Sequence, residues 1–199
     1  MPAPSPPEPA DQRIVLGGVP WEQYQAMRAA FDERPGVRMT YLRGVLEIMS
    51  PARRHEHVKT FIARLVEAYG DERRIVLLGF GSETFRNEVA ERGLEPDECY
   101  CVGDEKELPD FALEVITSSG GVDKLEVYRG LGVPEVWFWV EARFFLYGLE
   151  EGEYQPRERS RFLPDLDLRR VAEIVATTPR GEQAQAVWRF RQWLQEQAG

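Results

Sequence analysis

Phe111-Ala112-Leu113-Glu114-Val115-Ile116, entered through Leu108-Pro109-Asp110 and left through Thr117-Ser118-Ser119, decides how this chain folds. A short apolar run bounded by Pro and Asp on one side and by Ser and Gly on the other reads as a buried strand. One carboxylate, Glu114, interrupts it. An ionised carboxylate in such a strand is destabilising unless it is paired or holds a metal. Two neighbours offer a reason for it. Asp97 follows Pro96 just upstream, and Lys124 lies just downstream in Gly121-Val122-Asp123-Lys124-Leu125-Glu126-Val127-Tyr128. Two acids and a lysine around consecutive strands point to metal-dependent phosphodiester chemistry.

Working outward, the residues from Gly120 to Leu131 read as a helix stopped by Gly132. Val133 to Val140 and Phe144 to Leu149 read as two further strands. Strand, helix and strand across 111–140 make a parallel crossover unit. Upstream, Asp97 to Val102 is a strand, Arg86 to Gly93 a charged loop, and Ile75–Leu78 and Glu83–Phe85 are short strands. Val37–Leu42 and Val45–Met49 flank Arg43-Gly44, a two-residue hairpin signal. Helices are expected from Pro20 to about Pro35-Gly36, from Ser50-Pro51 to Gly70, and near Leu168 and Glu182. The fold class is α/β, a mixed β-sheet flanked by helices.

The 199 residues suit one domain, residues 13–199, behind a disordered proline-rich tail over 1–12. That start lacks the basic and apolar regions of a secretory signal, and no apolar run is long enough for a membrane helix. Cys99 and Cys101 are the only cysteines and read as reduced packing residues of a cytoplasmic protein. A formal net charge of −9 counts against non-specific coating of nucleic acid, where phosphate contacts dominate affinity.

Cleavage of a phosphodiester with a Mg²⁺-type ion needs hard oxygen ligands, an activated water and positive charge near the reacting phosphorus. Asp97 and Glu114 can supply the ligands, with the Val115 carbonyl as a third. Lys124 can orient or deprotonate the water, its pKa lowered by the ion. Each has a plainer reading: Asp97 as turn chemistry after Pro96, Lys124 as an exposed helix residue. Glu114 has the weakest plain reading. His55 and His57, two apart on a helix, point to different faces and do not chelate one ion together. His55 can approach the site or a phosphate, while His57 reads as surface. Asp110 shares a face with Glu114 but reads as a turn residue. Trp137, Trp139 and Tyr147 read as core or interface rather than as a base-stacking group.

Four blocks, in order, resemble the Uma-type family of restriction endonucleases, which have the PD-(D/E)xK nuclease fold. They are Gly44-Val45-Leu46-Glu47-Ile48-Met49-Ser50-Pro51 with His55; Gly93-Leu94-Glu95-Pro96-Asp97-Glu98-Cys99-Tyr100; Pro109 to Ser118; and Asp123 to Trp137. The resemblance implies a restriction-endonuclease-like sheet with helices on both sides. It places the motif's first acid on Asp97 and its second on Glu114. The usual motif lysine falls on Ile116, which cannot serve, and Lys124 in the following helix matches the family's replacement. Glu47 matches an early acid, an accessory ligand or water orienter, though an outward hairpin position explains it equally well.

The sequence therefore predicts a Mg²⁺- or Mn²⁺-dependent endonuclease acting on DNA, with catalytic residues Asp97, Glu114, Lys124 and Glu47. The metal ligands are Asp97, Glu114 and Val115. A homodimer is expected, because nucleases of this fold often cut two strands, and no membrane partner is expected. The rival is a nuclease-fold protein with weak or lost chemistry that serves as a binding or assembly module; the acidic pI and displaced lysine motivate it. A carboxylate-pair sugar hydrolase ranks last because it gives Lys124 no role.

Overall fold

The computed structural model describes residues 10–31, 36–117 and 121–197. Most of the proline-rich tail, Pro35, and Ser118 to Gly120 lie outside the described residues. Among the described residues, eleven strands form two sheets, with five α-helices between and around them. The first sheet has the order β1-β3-β2-β6-β5 and is antiparallel throughout. Its strands are β1 (Gln12–Gly17), β2 (Arg38–Leu42), β3 (Val45–Ser50), β5 (Phe85–Asn87) and β6 (Arg92–Leu94). The second sheet has the order β11-β10-β9-β8-β7-β4. It comprises β4 (Leu77–Gly79), β7 (Glu98–Val102), β8 (Phe111–Ile116), β9 (Glu135–Val140), β10 (Arg143–Glu150) and β11 (Glu153–Arg157). Only β8 and β9 run parallel there, joined by α3 (Lys124–Leu131). This is the crossover unit expected from the sequence.

Alternation along β8 sorts its side chains into two environments. Phe111, Leu113 and Val115 enter the largest core, under α2 (Arg53–Arg73), α4 (Leu168–Thr177) and α5 (Gln183–Glu196). There the Phe111 and Trp137 rings stack at 4.6 Å. Ala112 faces the other way, into a second core with Val127 and Tyr128 of α3, Val136, and Phe85 and Leu94 of the first sheet. α3 is thus held between the two sheets. The outer face of the first sheet is closed by α1 (Trp21–Phe31), whose Trp21 and Tyr24 pack on Met39, Tyr41 and Leu46.

Several boundaries differ from the sequence reading. The Arg43-Gly44 turn forms as expected, with φ of 44° and 86° and Leu42 opposite Val45. Arg86 to Gly93, read as a loop, instead contributes most of β5 and the start of β6, and β6 completes the first sheet. Its charge hid it: Arg92 is buried, with its guanidinium 3.0 Å from Glu126. α2 runs past Gly70 to Arg73, and Arg74 at φ 56° caps it. Gly70 lies inside the helix, and Leu77 packs where a side chain on it would be. α3 begins at Lys124, since the Asp123 side chain accepts from the Glu126 amide and caps it there. Gln12 opens β1, and Asp11, read as tail, has a side chain only 1% exposed that contacts His55.

Gly93 lets β6 pass beneath α1. A Cβ there would lie 2.3 Å from the Tyr24 hydroxyl, and the Tyr24 ring is buried and stacked on Tyr41. Gly93→Ala is expected to lower the unfolding free energy by about 1–3 kcal/mol through overpacking. Urea denaturation measures this, and an unchanged midpoint would show that the ring moves freely.

Candidate active site

The site is built at the seam between the sheets. Continuing the β7–β8 register one residue past Glu98↔Leu113 sets Asp97 opposite Glu114. Both carboxylates are fully buried. Glu114 is on the Ala112 face of β8, toward α3. Lys124, the first residue of α3, reaches back so that its Nζ lies 2.5 Å from Glu114 Oε2. One turn later, the Tyr128 hydroxyl donates to Glu114 Oε1 at 2.5 Å. The helical i, i+4 spacing puts both groups on the carboxylate.

Asp97 has a separate set of partners. Its Oδ2 accepts from the Val115 amide at 2.7 Å and lies 2.9 Å from His55 Nε2. Arg38 Nη1 stands 2.9 Å from Oδ1 and also donates to the Pro96 carbonyl. Arg38 Nη2 continues to Glu56 at 2.8 Å, and Glu56 to Lys59 at 2.8 Å. On the other side, His55 Nδ1 lies 3.0 Å from Asp11 Oδ2. Asp11 also accepts from the Ala52 amide and from the Thr117 hydroxyl. Acids and bases thus alternate along the chain Asp11, His55, Asp97, Arg38, Glu56, Lys59.

These contacts set the protonation states. Burial would raise the Asp97 carboxyl, but the His55 hydrogen bond and the charges of Lys124, His55 and Arg38 outweigh it and bring it to about 2. Burial pushes Glu114 up and the Asp97 charge adds to this, while Lys124 and Tyr128 oppose both. Burial favours a neutral Lys124, yet Glu114 and Asp97 hold its ammonium up, with Glu47 contributing. The two acids thus favour the charged form of the lysine. His55 is likewise raised: its burial is outweighed by Asp97 and Asp11.

The structure brings Asp97, Glu114 and Lys124 into one cluster. Glu47 stands at its margin. It is buried on β3, where its Oε2 accepts from the Val122 amide at 3.1 Å and lies 3.5 Å from Arg13 Nε. The outward hairpin reading of Glu47 is therefore excluded. Gly121 permits this approach: its φ is 118°, and a Cβ there would meet Glu47 Oε2 at 2.1 Å. Val115 touches Asp97 through its amide, and its side chain lies in the core on the opposite face. Asp110 has the turn role, accepting from the Val102 amide and from Lys106. His57 is half-buried, 3.1 Å from Gln183.

Lys124 and Glu47 open onto a cleft of about 540 Å³. Arg13, Ile116, Gly121 to Leu125, Phe138, Val140, Phe145 and Tyr147 complete its lining. Ile116, where the usual motif lysine would fall, forms part of the apolar wall. The sequence reading missed Arg38, Asp11 and Tyr128. Arg38 and Tyr128 had signals: a lone arginine entering an apolar strand, and a tyrosine four residues after Lys124. Asp11 had none, being continuous with the proline-rich start.

Two opposed carboxylates and a lysine, at the head of a βαβ unit in a mixed sheet covered by helices, define an α/β protein of the restriction-endonuclease-like class. The chain belongs to the Uma2 family, described as "Putative restriction endonuclease", which it matches over residues 21–180. No curated protein matches it.

The donor set is the right chemistry for a hard divalent ion, since every acid in it offers carboxylate oxygen. Among the described residues, no group of three or more His, Cys, Asp or Glu forms a ready metal cage. Mg²⁺ is commonly held by one or two carboxylates together with waters and substrate phosphate. The counter-charge of Glu114 is a long, flexible lysine at the cleft. The residues fit such an ion.

The Lys124–Glu114 pair is buried, so removing one partner leaves an uncompensated charge. Lys124→Ala is expected to lower the unfolding free energy by about 3–5 kcal/mol. Combining Lys124→Met with Glu114→Gln should lose clearly less than the sum of the two single changes. Urea denaturation of the four proteins closes the cycle, and strict additivity would show that the pair is not coupled.

Proposed function

We propose that this protein is a Mg²⁺- or Mn²⁺-dependent endonuclease that hydrolyses DNA phosphodiester bonds by attack of an activated water. The observation that carries this reading is the buried Asp97–Glu114 pair, with Lys124 on Glu114, at the base of an open cleft. Asp97 and Glu114, with the Val115 carbonyl, would hold the ion. When bound, such an ion polarises a phosphoryl oxygen and makes its water easier to deprotonate.

The chain's own residues do the rest. Asp97 is kept ionised by His55 and Arg38, so it presents charge at any ordinary pH. Lys124, held protonated by the two acids, is suited to stabilise negative charge on the reacting phosphate rather than to act as a base. Glu47, at the cleft wall, orients the water. The oxygen of water bonds to phosphorus as the bridging P–O bond breaks, leaving a terminal phosphate and a hydroxyl.

One observation favours the second reading, a nuclease-fold binding module. Three of the four carboxylate oxygens of Asp97 and Glu114 already accept hydrogen bonds within the protein, and the fourth, Asp97 Oδ1, lies 2.9 Å from Arg38 Nη1. In that reading the Lys124–Glu114 pair never opens. Two further features bear on setting. Both cysteines are buried free thiols, which supports a reducing, cytoplasmic environment. No helix among the described residues is long and apolar enough to cross a membrane. For a homodimer, the edge strand β1 is the surface to test, since its Ile14, Val15 and Leu16 are 60%, 47% and 38% exposed. Light scattering should then give twice 22.9 kDa, and a monomeric mass at micromolar concentration removes the dimer.

Cleavage of single- and double-stranded DNA with Mg²⁺ or Mn²⁺ separates the two main readings. Chelator should abolish cutting, and Glu114→Gln should reduce it by about 10²-fold or more. His55→Asn should weaken ion affinity by about 10–100-fold, because it acts through Asp97. Absence of cutting in every condition selects the binding module.

A further inference from the structure

A single row of side chains crosses the second sheet from the carboxylates to solvent. Asp97 stands opposite Glu114, Glu114 is paired with Phe138 in the parallel register, and Phe138 with Phe145 in the antiparallel one. Directly opposed residues share a face of the sheet. The two acids are therefore followed, on the same face, by two aromatic rings. Tyr147, two residues beyond Phe145, joins them, its ring edge-on to Phe138 at 5.9 Å. All three aromatics line the cleft onto which Lys124 and Glu47 open.

Packing does not account for this wall. Trp137, Trp139 and Leu146, on the opposite face, enter the main core. Phe138 only borders the second core, and Phe145 and Tyr147 belong to no core cluster. Phe145 is 46% exposed, a large apolar ring turned to water beside a charged site.

Charge narrows what the rings bind. Duplex binding draws its affinity from phosphate contacts with free lysines and arginines. Here the net charge is −9, and the two cations lining the cleft, Lys124 and Arg13, are committed to Glu114 and Glu47. A duplex also hides its base faces within its own stack. An unpaired strand offers those faces, and aromatic side chains stack on them whatever the base.

We propose that Phe138, Phe145 and Tyr147 form a base-stacking wall and that the substrate of this site is single-stranded DNA. This rests on the nuclease reading for the chemistry, but the stacking itself needs no metal. The test is equilibrium binding by fluorescence anisotropy in chelator, with the full chain and three labelled probes. These are a short single-stranded oligodeoxynucleotide, its duplex, and an abasic strand of equal length. The single strand should bind at least about tenfold more tightly than the other two. Phe145→Ala should lose about 5- to 150-fold of that affinity, the equivalent of one stacked base. Phe145 is half in solvent, so its substitution should leave the thermal midpoint in place, and Tyr147→Ala gives an independent second variant.

Equal binding of single strand, duplex and abasic strand would overturn the proposal, as would full affinity in both aromatic variants. No binding to any probe would also overturn it. Selective single-strand binding without metal-dependent cutting would leave the stacking wall standing while the nuclease reading fell. Metal-dependent cutting of duplex, indifferent to Phe145, would do the reverse.

Discussion

The whole arrangement depends on Glu114, a carboxylate placed without solvent access between two sheets. Leaving it unpaired would be strongly destabilising, and the fold answers with Lys124 and Tyr128 from one helix. That answer fixes which face of α3 meets the sheet. Asp97 beside it doubles the difficulty and draws in Arg38 from the first sheet and His55 from α2. Groups from both sheets and two helices thus converge on two acids. A protein built for stability alone would gain by replacing such a cluster with apolar residues. Its retention is the physical argument for a functional site.

The cluster is also graded in accessibility. Asp97, Glu114 and His55 are sealed, Lys124 sits between them and the cleft, and the aromatic rings beyond are progressively more exposed. A ligand arriving from solvent meets the rings first and the lysine next. The acids lie behind the lysine. The buried end can tune charge, while the open end can choose what enters.

Much of this was legible in the sequence because it followed strong local rules. The β8-α3-β9 unit came from an apolar run, a helical repeat and a second apolar run, and the Arg43-Gly44 hairpin from its turn residues. Glu114 stood out as a charge inside an apolar run, and Asp97 and Lys124 were singled out beside it although each had a plainer reading. What escaped had no local signature. β6 carries Arg92 in a strand that propensity reads as loop, and only its pairing with Glu126 makes that burial tolerable. Asp11 is adjacent to nothing in sequence that marks it, yet it closes on His55 across the fold. Tyr147 was grouped with Trp137 and Trp139 by composition. The β9–β10 register sets Leu146, not Tyr147, beside Trp137, so the tyrosine points to the opposite face. Register across a hairpin, rather than residue type, decided its role.

The central claim is that Asp97 and Glu114 are a divalent-ion site in which Lys124 is the counter-charge of Glu114. A crystal soaked in Mn²⁺ and recorded at the manganese absorption edge tests it directly. The account predicts one anomalous peak within coordination distance of both carboxylates, with the Lys124 ammonium moved away from Glu114 toward the cleft. An intact Lys124–Glu114 pair with no peak beside it, or with manganese only at other acids, would contradict it.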